Sequence, residues 1–199
     1  MNGRDMRRDR RVSICSSDEL RADRESISGL FLRLRNGITR AHGEPVTLRP
    51  YKWEYDSGIV RTDSTQAEYD RHIRDSELVL LLFHTRCGKW TMHELYMALT
   101  QRAKAGLPHV AVLVRDLAPG ESRTPELQLL LDTIATLSAV DEEIQPVTYA
   151  TTDELAVAVV RSLQSIGLEL PIKRKSDAQG RTRLVIDGLG SETIATLNE

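Results

Sequence analysis

The chain has 199 residues, 40% hydrophobic and 28% charged, with 12 Gly and 7 Pro, a composition that suits one globular domain with its own core. Lys and Arg number 27 against 29 Asp and Glu, a formal charge of −2, so no overall basic field exists to hold a phosphate backbone and nucleic acid is not an expected partner. No apolar run reaches the roughly 18 residues of a membrane span, and two cysteines are too few for a disulfide scaffold, which points to a reducing, cytoplasmic setting.

Residues 1–10 read as a disordered basic leader, with Arg4, Arg7, Arg8 and Arg10 offset only by Asp5 and Asp9 and no apolar h-region of a signal peptide. Val12 to Cys15 is a short strand. Ser16 and Glu19 then have the spacing of a capping box, and Leu20, Ile27, Phe31, Leu34 and Ile38 share one face of a helix predicted to run to about Ala41. His42 to Pro45 is a stop and turn, Val46 to Trp53 a second strand, Glu54 to Ser64 a long polar loop, and Thr65 to Arg74 a short helix. Glu77 to Phe83 contains six consecutive apolar residues, the pattern of a strand covered on both faces, and is placed at the sheet centre.

Thr91 to Ala105 reads as a helix, His109 to Arg115 as a fourth strand, Thr124 to Ala139 as a helix, Gln145 to Tyr149 as a fifth strand and Thr152 to Ile166 as a closing helix. Strict alternation of strand and helix predicts an α/β fold: a flavodoxin-like, doubly wound, five-stranded parallel sheet with helices on both faces, spanning residues 11–167. Residues 168–199 then form a β-hairpin extension or linker, from Pro171 to Lys175 and Arg181 to Ile186, followed by a weakly ordered end. Such a tail is suited to leading into a further sensor domain beyond residue 199.

Ligands of open parallel sheets bind outside the carboxyl ends of the strands. The loops to inspect are Ser16 to Glu19, Glu54 to Ser64, His84 to Trp90 and Asp116 to Arg123. Gly88 and Lys89 lack the remainder of a P-loop, and no GxGxxG occurs. His84, Cys87 and His93 match no standard zinc spacing, so no metal is expected, and a Cys87 nucleophile with a histidine three residues away in a loop is not a dyad.

The run Leu78-Val-Leu-Leu-Leu-Phe-His-Thr-Arg-Cys-Gly-Lys-Trp-Thr-Met-His-Glu-Leu-Tyr-Met-Ala98 is an apolar strand, a loop and a helix opening on Trp90, Thr91, Glu94 and Leu95. It resembles the Trp-Cys-x-x-Glu-Leu element of the TIR (Toll/interleukin-1 receptor) family, with Thr91 where Cys is usual. Arg11-Val-Ser-Ile-Cys-Ser-Ser-Asp-Glu-Leu-Arg-Ala-Asp-Arg24 is similar to the first strand and helix of a TIR-like branch found in bacterial defence and STAND-type proteins. Trp53 and Glu54 match that branch after the second strand, and Arg86 and Gly88 match it after the third, so the resemblance covers about Arg11 to Val114 in order. The late Phe-Trp element of many animal TIR domains has no counterpart here.

In catalytically active TIR domains the Glu of this motif cleaves the nicotinamide N-glycosidic bond of NAD, which makes Glu94 the implied catalytic residue and NAD a substrate rather than a cofactor. The chemistry suits one carboxylate, because departure of nicotinamide leaves an oxocarbenium-like ribose and the leaving group is already cationic. Ser16 and Ser17 at a helix start, Trp53, Arg86, Gly88 and Trp90 are the candidate substrate-binding residues, with Arg24 a second candidate for the pyrophosphate. Each also has a plain reading: Ser16 as a cap, Arg24 as an ion-pair partner, Trp90 as helix packing. The resemblance further implies self-association into a homo-oligomer and a prokaryotic immune role. The alternatives are a non-enzymatic TIR-like interaction module and a nucleoside deoxyribosyltransferase-like enzyme. Seven of the nine aromatic residues lie between Tyr51 and Tyr96, an interval that holds two of the candidate loops.

Overall fold

The computed structural model describes residues 8–35, 37–40, 43–51, 64–138, 144–186 and 193–197. Its elements in chain order are β1 (Arg8–Ser16), a single 3-10 turn (Asp18–Leu20), α1 (Arg21–Leu34), β2 (Thr39–Arg40), β3 (Val46–Tyr51), α2 (Ser64–Arg74), β4 (Leu78–Phe83) and α3 (Lys89–Ala105). There follow β5 (His109–Arg115), α4 (Pro125–Ser138), β6 (Val147–Tyr149), α5 (Thr152–Ser165), β7 (Leu168–Glu169), β8 (Ile172–Ser176), β9 (Thr182–Ile186) and β10 (Thr193–Leu197). The main sheet is five-stranded and all parallel in the order β3-β1-β4-β5-β6, the predicted doubly wound arrangement.

β4 sits at the centre with every residue buried. Its side chains alternate: Leu78, Leu80 and Leu82 enter one core with α1 and α5, whereas Val79, Leu81 and Phe83 enter a second with residues of α2, α3 and α4. β1 divides in the same way, Val12 and Ile14 facing the first core and Cys15 the second. Each leucine buried in this way contributes about 1.5–3 kcal/mol, so the sheet's position between its two helical layers is strongly fixed.

Several boundaries differ from expectation. β1 begins at Arg8 rather than Val12, because residues of the basic stretch pair in parallel with β3 from Arg8 opposite Val46 onward. α1 ends at Leu34, not near Ala41: Arg35 is its C-cap and Gly37 has φ 106°, a left-handed conformation close against Pro171. Ile38 is still buried, but it reaches the core from the segment entering β2. The capping box of Ser16 and Glu19 does not form. Ser17 holds the N-cap position without a side-chain capping bond, and both predicted partners are engaged elsewhere. A capping box does form at α5, between Thr151 and Glu154.

The C-terminal extension is more than a hairpin. β8, β9 and β10 make a three-stranded antiparallel sheet in which Leu184, Val185, Ile186, Ile194 and Ala195 are buried. Four of these, all but Val185, belong to the α1/α5 core, and the Thr196 amide donates to Asp153 at the start of α5 at 2.7 Å. β7 pairs antiparallel with β2.

Candidate functional site

The chain runs from β1 to β3 on one side and then crosses to β4 on the other, so the winding reverses between β1 and β4. At such a reversal the loops at the carboxyl ends diverge and leave a crevice. Cys15 and Ser16 end β1 beside Leu81 and Leu82 of β4, and the helix after β4 carries Glu94. Because Thr91, Leu95 and Ala98 anchor α3 in the core, Glu94 is held on the flank of the helix turned toward β1.

A narrow cleft with a cavity volume of about 10 Å³, room for about one water molecule, is lined by Ser13, Ile14, Cys15, Tyr51, Tyr69, Ile73 and Glu94. The Cys15 thiol is hydrogen-bonded to the Glu94 carboxyl. Burial lifts that carboxyl to about 7; the Cys15 bond and the Arg24 guanidinium pull it down, and the charge of Asp70 pushes it up. The Cys15 thiol is held well above its usual range, by burial first and the Glu94 charge second. Cys87 is pushed up to about 11 for the same two reasons, so neither thiol is a ready thiolate.

Arg24 is fully buried, and through Nη1 it donates to the Ser16 hydroxyl and, at 2.8 Å, to the Ser17 carbonyl. Ser16 in turn donates to the Ser17 carbonyl at 2.9 Å. The β1–α1 turn is therefore wrapped around a cation that also acts on Glu94.

Tyr51 forms the opposite wall. Its ring stacks on His72 with centroids 3.7 Å apart and planes at 19°, and Tyr69 lies 5.9 Å away, tilted by 56°. Helix α2 supplies both His72 and Tyr69, so the aromatic wall is assembled by packing α2 beside β3. Ser13, also on the wall, shares a 2.7 Å hydrogen bond with Ser76.

The loops on either side are tied together by Glu19. It accepts from Ser17 Oγ at 3.0 Å, from the Thr85 amide at 3.2 Å, from the Thr85 hydroxyl and from the Arg86 amide at 3.2 Å. Burial alone would raise the Glu19 carboxyl, but these bonds outweigh it and hold it below its ordinary value. His84 lies 3.1 Å from Glu121 in the same region. Among the described residues no group of three or more His, Cys, Asp or Glu is arranged to hold a metal ion, and no helix is long and apolar enough to cross a membrane.

No protein-family model matches the chain, and no curated protein matches it in sequence. Among solved structures it is similar to a Clostridium botulinum CMP N-glycosidase, BcmB, at 13% identity with a TM-score of 0.46, over 76% of this chain and 99% of that one. No property of the site follows from a likeness at that level.

The structure treats the sequence candidates unequally. Glu94 lines the cleft, and Ser16 and Ser17 are linked to it through Arg24. Trp90 is 56% exposed, with Lys89 Nζ 4.4 Å above its ring, and does not line the cleft. Arg86 is exposed and contributes its backbone amide to Glu19. Gly88 is the N-cap of α3 at φ −69°, a conformation open to any residue, and its carbonyl accepts from the Met92 amide at 3.0 Å. Trp53, with Glu54, lies outside the described residues. Tyr51, Tyr69 and Cys15 line the cleft without having been singled out in sequence as site residues; the aromatic clustering between Tyr51 and Tyr96 was the one signal that touched the two tyrosines.

Proposed function

We propose that this chain is a TIR-like NAD(P) glycohydrolase that cleaves the nicotinamide N-glycosidic bond, with Glu94 as its catalytic carboxylate. The observation that carries the reading is the placement of Glu94: one carboxyl, poised near neutrality, at the switch point of a parallel sheet and facing an aromatic wall. The motif resemblance around Trp90, Glu94 and Leu95 supplies the bond and the substrate.

In this mechanism the planar pyridinium ring meets Tyr51 and Tyr69 at the mouth of the cleft, which must widen to admit it, and Glu94 lies beside the ribose carbon that loses it. A pyridinium is a cation, so its arrival favours the ionised form of Glu94, adding to the pull of Arg24. As the C–N bond breaks, the electron pair leaves with nicotinamide and the ribose becomes oxocarbenium-like. The carboxylate stabilises that charge or traps it covalently before water adds. Arg24 holds the β1–α1 turn in shape and keeps a compensating positive charge behind Glu94. The same reading makes the chain a prokaryotic immune effector that works as a self-associated oligomer, with nicotinamide and an ADP-ribose product.

A second reading draws on the same carboxyl. In a nucleoside deoxyribosyltransferase-like reaction Glu94 is the nucleophile: its ionised carboxylate bonds to the deoxyribose carbon as the base departs with the electron pair of the C–N bond and takes a proton from water. Purified, concentrated protein is incubated with NAD or with deoxynucleosides, and the products are separated by chromatography, alongside Glu94→Gln. Nicotinamide release that depends on Glu94 supports the glycohydrolase. Turnover of deoxynucleosides with NAD untouched supports the second reading. If both substrates stay intact in protein shown to be assembled, the chain is an interaction module.

A further inference from the structure

Helices α2 and α3 pack side by side and both line the cleft, α2 with Tyr69 and Ile73 and α3 with Glu94. Their sequence neighbours meet as well. Asp70 Oδ1 and His93 Nε2 are 2.9 Å apart, joining the two helices at the level where the two cleft residues face each other. Both members of the pair are partly exposed, Asp70 the less so. We propose that the Asp70–His93 pair is a positioning element that holds Tyr69 opposite Glu94 and governs the charge that Glu94 carries, a role that rests on the reading of Glu94 as the catalytic carboxylate.

The physical basis is a three-body arrangement. Asp70 is a negative charge near Glu94 and opposes its ionisation. His93 is hydrogen-bonded to Asp70 and draws its charge toward the imidazole. The other titratable or charged groups that bear on Glu94 are Cys15 from β1, Arg24 from α1 and, from the loop before α3, Cys87, whose thiol feels the Glu94 charge. Around the same cleft, β3 presents Tyr51, and α2 adds Tyr69 and the His72 stacked on Tyr51. Asp70 is the like charge in this set, and His93 is the group bonded to it, so the pair is the adjustable part of the environment.

The two members are therefore expected to act with opposite sign, which a purely structural cross-link would not do. The test is a ¹³C carboxyl titration of the full chain, with Glu94→Gln to assign the Glu94 resonance. Asp70→Asn removes the like charge, and the Glu94 midpoint moves to lower pH. His93→Leu takes away the imidazole bonded to Asp70, and the midpoint moves to higher pH. A midpoint lowered from 7 to 6 would raise the ionised fraction at pH 6 about fivefold, and the low-pH limb of NAD cleavage should rise with it. Shifts of the same sign, or no shift in either variant, overturn the proposal. If Asp70→Asn does not fold, the sign seen with His93→Leu decides. Opposite shifts in a protein that leaves NAD intact uphold the electrostatic pair while removing the catalytic reading of Glu94.

Discussion

Arg24, wholly buried in α1, donates to the carbonyl of Ser17 at 2.8 Å and thereby closes the turn that follows β1 over the end of the strand bearing Cys15. The positive charge of the same guanidinium also pulls the Glu94 carboxyl down. One residue thus serves the fold and the site at once. Replacement by Met removes the guanidinium donor to the Ser16 hydroxyl and Ser17 carbonyl, the carbonyl keeping its bonds from Ser16 Oγ and the Leu20 amide, and takes a cation away from Glu94. Arg24→Met is expected to cost roughly 2–4 kcal/mol in urea denaturation at neutral pH, and to shift the pH profile of NAD cleavage toward higher pH.

Glu94 carries a stability cost that depends on pH. Its folded-state carboxyl titrates near 7, above the ordinary value of 4.5, so the folded chain binds the proton more tightly than the unfolded one. The stabilisation from that proton is complete below about pH 4.5 and is lost as pH rises through 7. Glu94→Gln should therefore be more stable than the parent at pH 8, by roughly 2–3 kcal/mol, with the gap closing near pH 4.5. Paired denaturation curves at the two pH values measure it. The same variant should lose at least about a hundredfold in NAD cleavage.

The direction of the rate profile tests the ionised role of Glu94. If Glu94 acts as a carboxylate on a cationic leaving group, kcat/KM for NAD rises with pH through about 7 and then levels. A rate that falls over the same interval would mean that the protonated form is the active one and would sink the carboxylate role. Initial rates from pH 5.5 to 8.5 decide it.

Glu19 holds the β1–α1 and β4–α3 loops to one another through its bonds to Ser17, Thr85 and the Arg86 amide. Its carboxyl is held below the ordinary value, so the stability it lends is present above the unfolded-state midpoint and disappears as pH falls through the folded one. Glu19→Ala is expected to cost roughly 1–3 kcal/mol at pH 7, and the deficit relative to the parent should shrink in acid.

Ile194 on β10 is 6% exposed and joins the α1/α5 core. Ile194→Ala should lower stability by roughly 2–4 kcal/mol through the cavity it leaves, while Glu94-dependent turnover at 25 °C is retained. Thermal denaturation and an activity assay on the same sample test both halves.

The sheet was legible because its signals are local. The six apolar residues of β4 announce a strand buried on both faces, and the alternation of strands with amphipathic helices leaves few topologies to consider. Features built from distant partners were not legible. Glu19 has capping-box spacing, yet its ligands are 66 and 67 residues away in the loop after β4, and that competition abolishes the cap. β10 is five residues of modest hydrophobicity whose strand character comes from pairing with β9 and resting on α5. For the site, the motif pointed to Glu94, whereas Arg24, a candidate for the pyrophosphate, is fully buried against Ser16 and Ser17 instead, and Tyr51 and Tyr69 meet only after α2 is laid beside β3. Spacing along the chain marks an aromatic-rich interval; it does not say which rings turn inward.

Trp90, the ring the cleft leaves outside, has a practical use. It is more than half exposed on the first turn of α3, one helical turn before Glu94, and the chain contains two tryptophans. With Trp53 replaced by Phe, the chain would hold a single tryptophan, close to Glu94 and open to solvent. Movement of the α3 start when a nucleotide enters would then register as a change in colour and intensity of ultraviolet fluorescence, with no label attached.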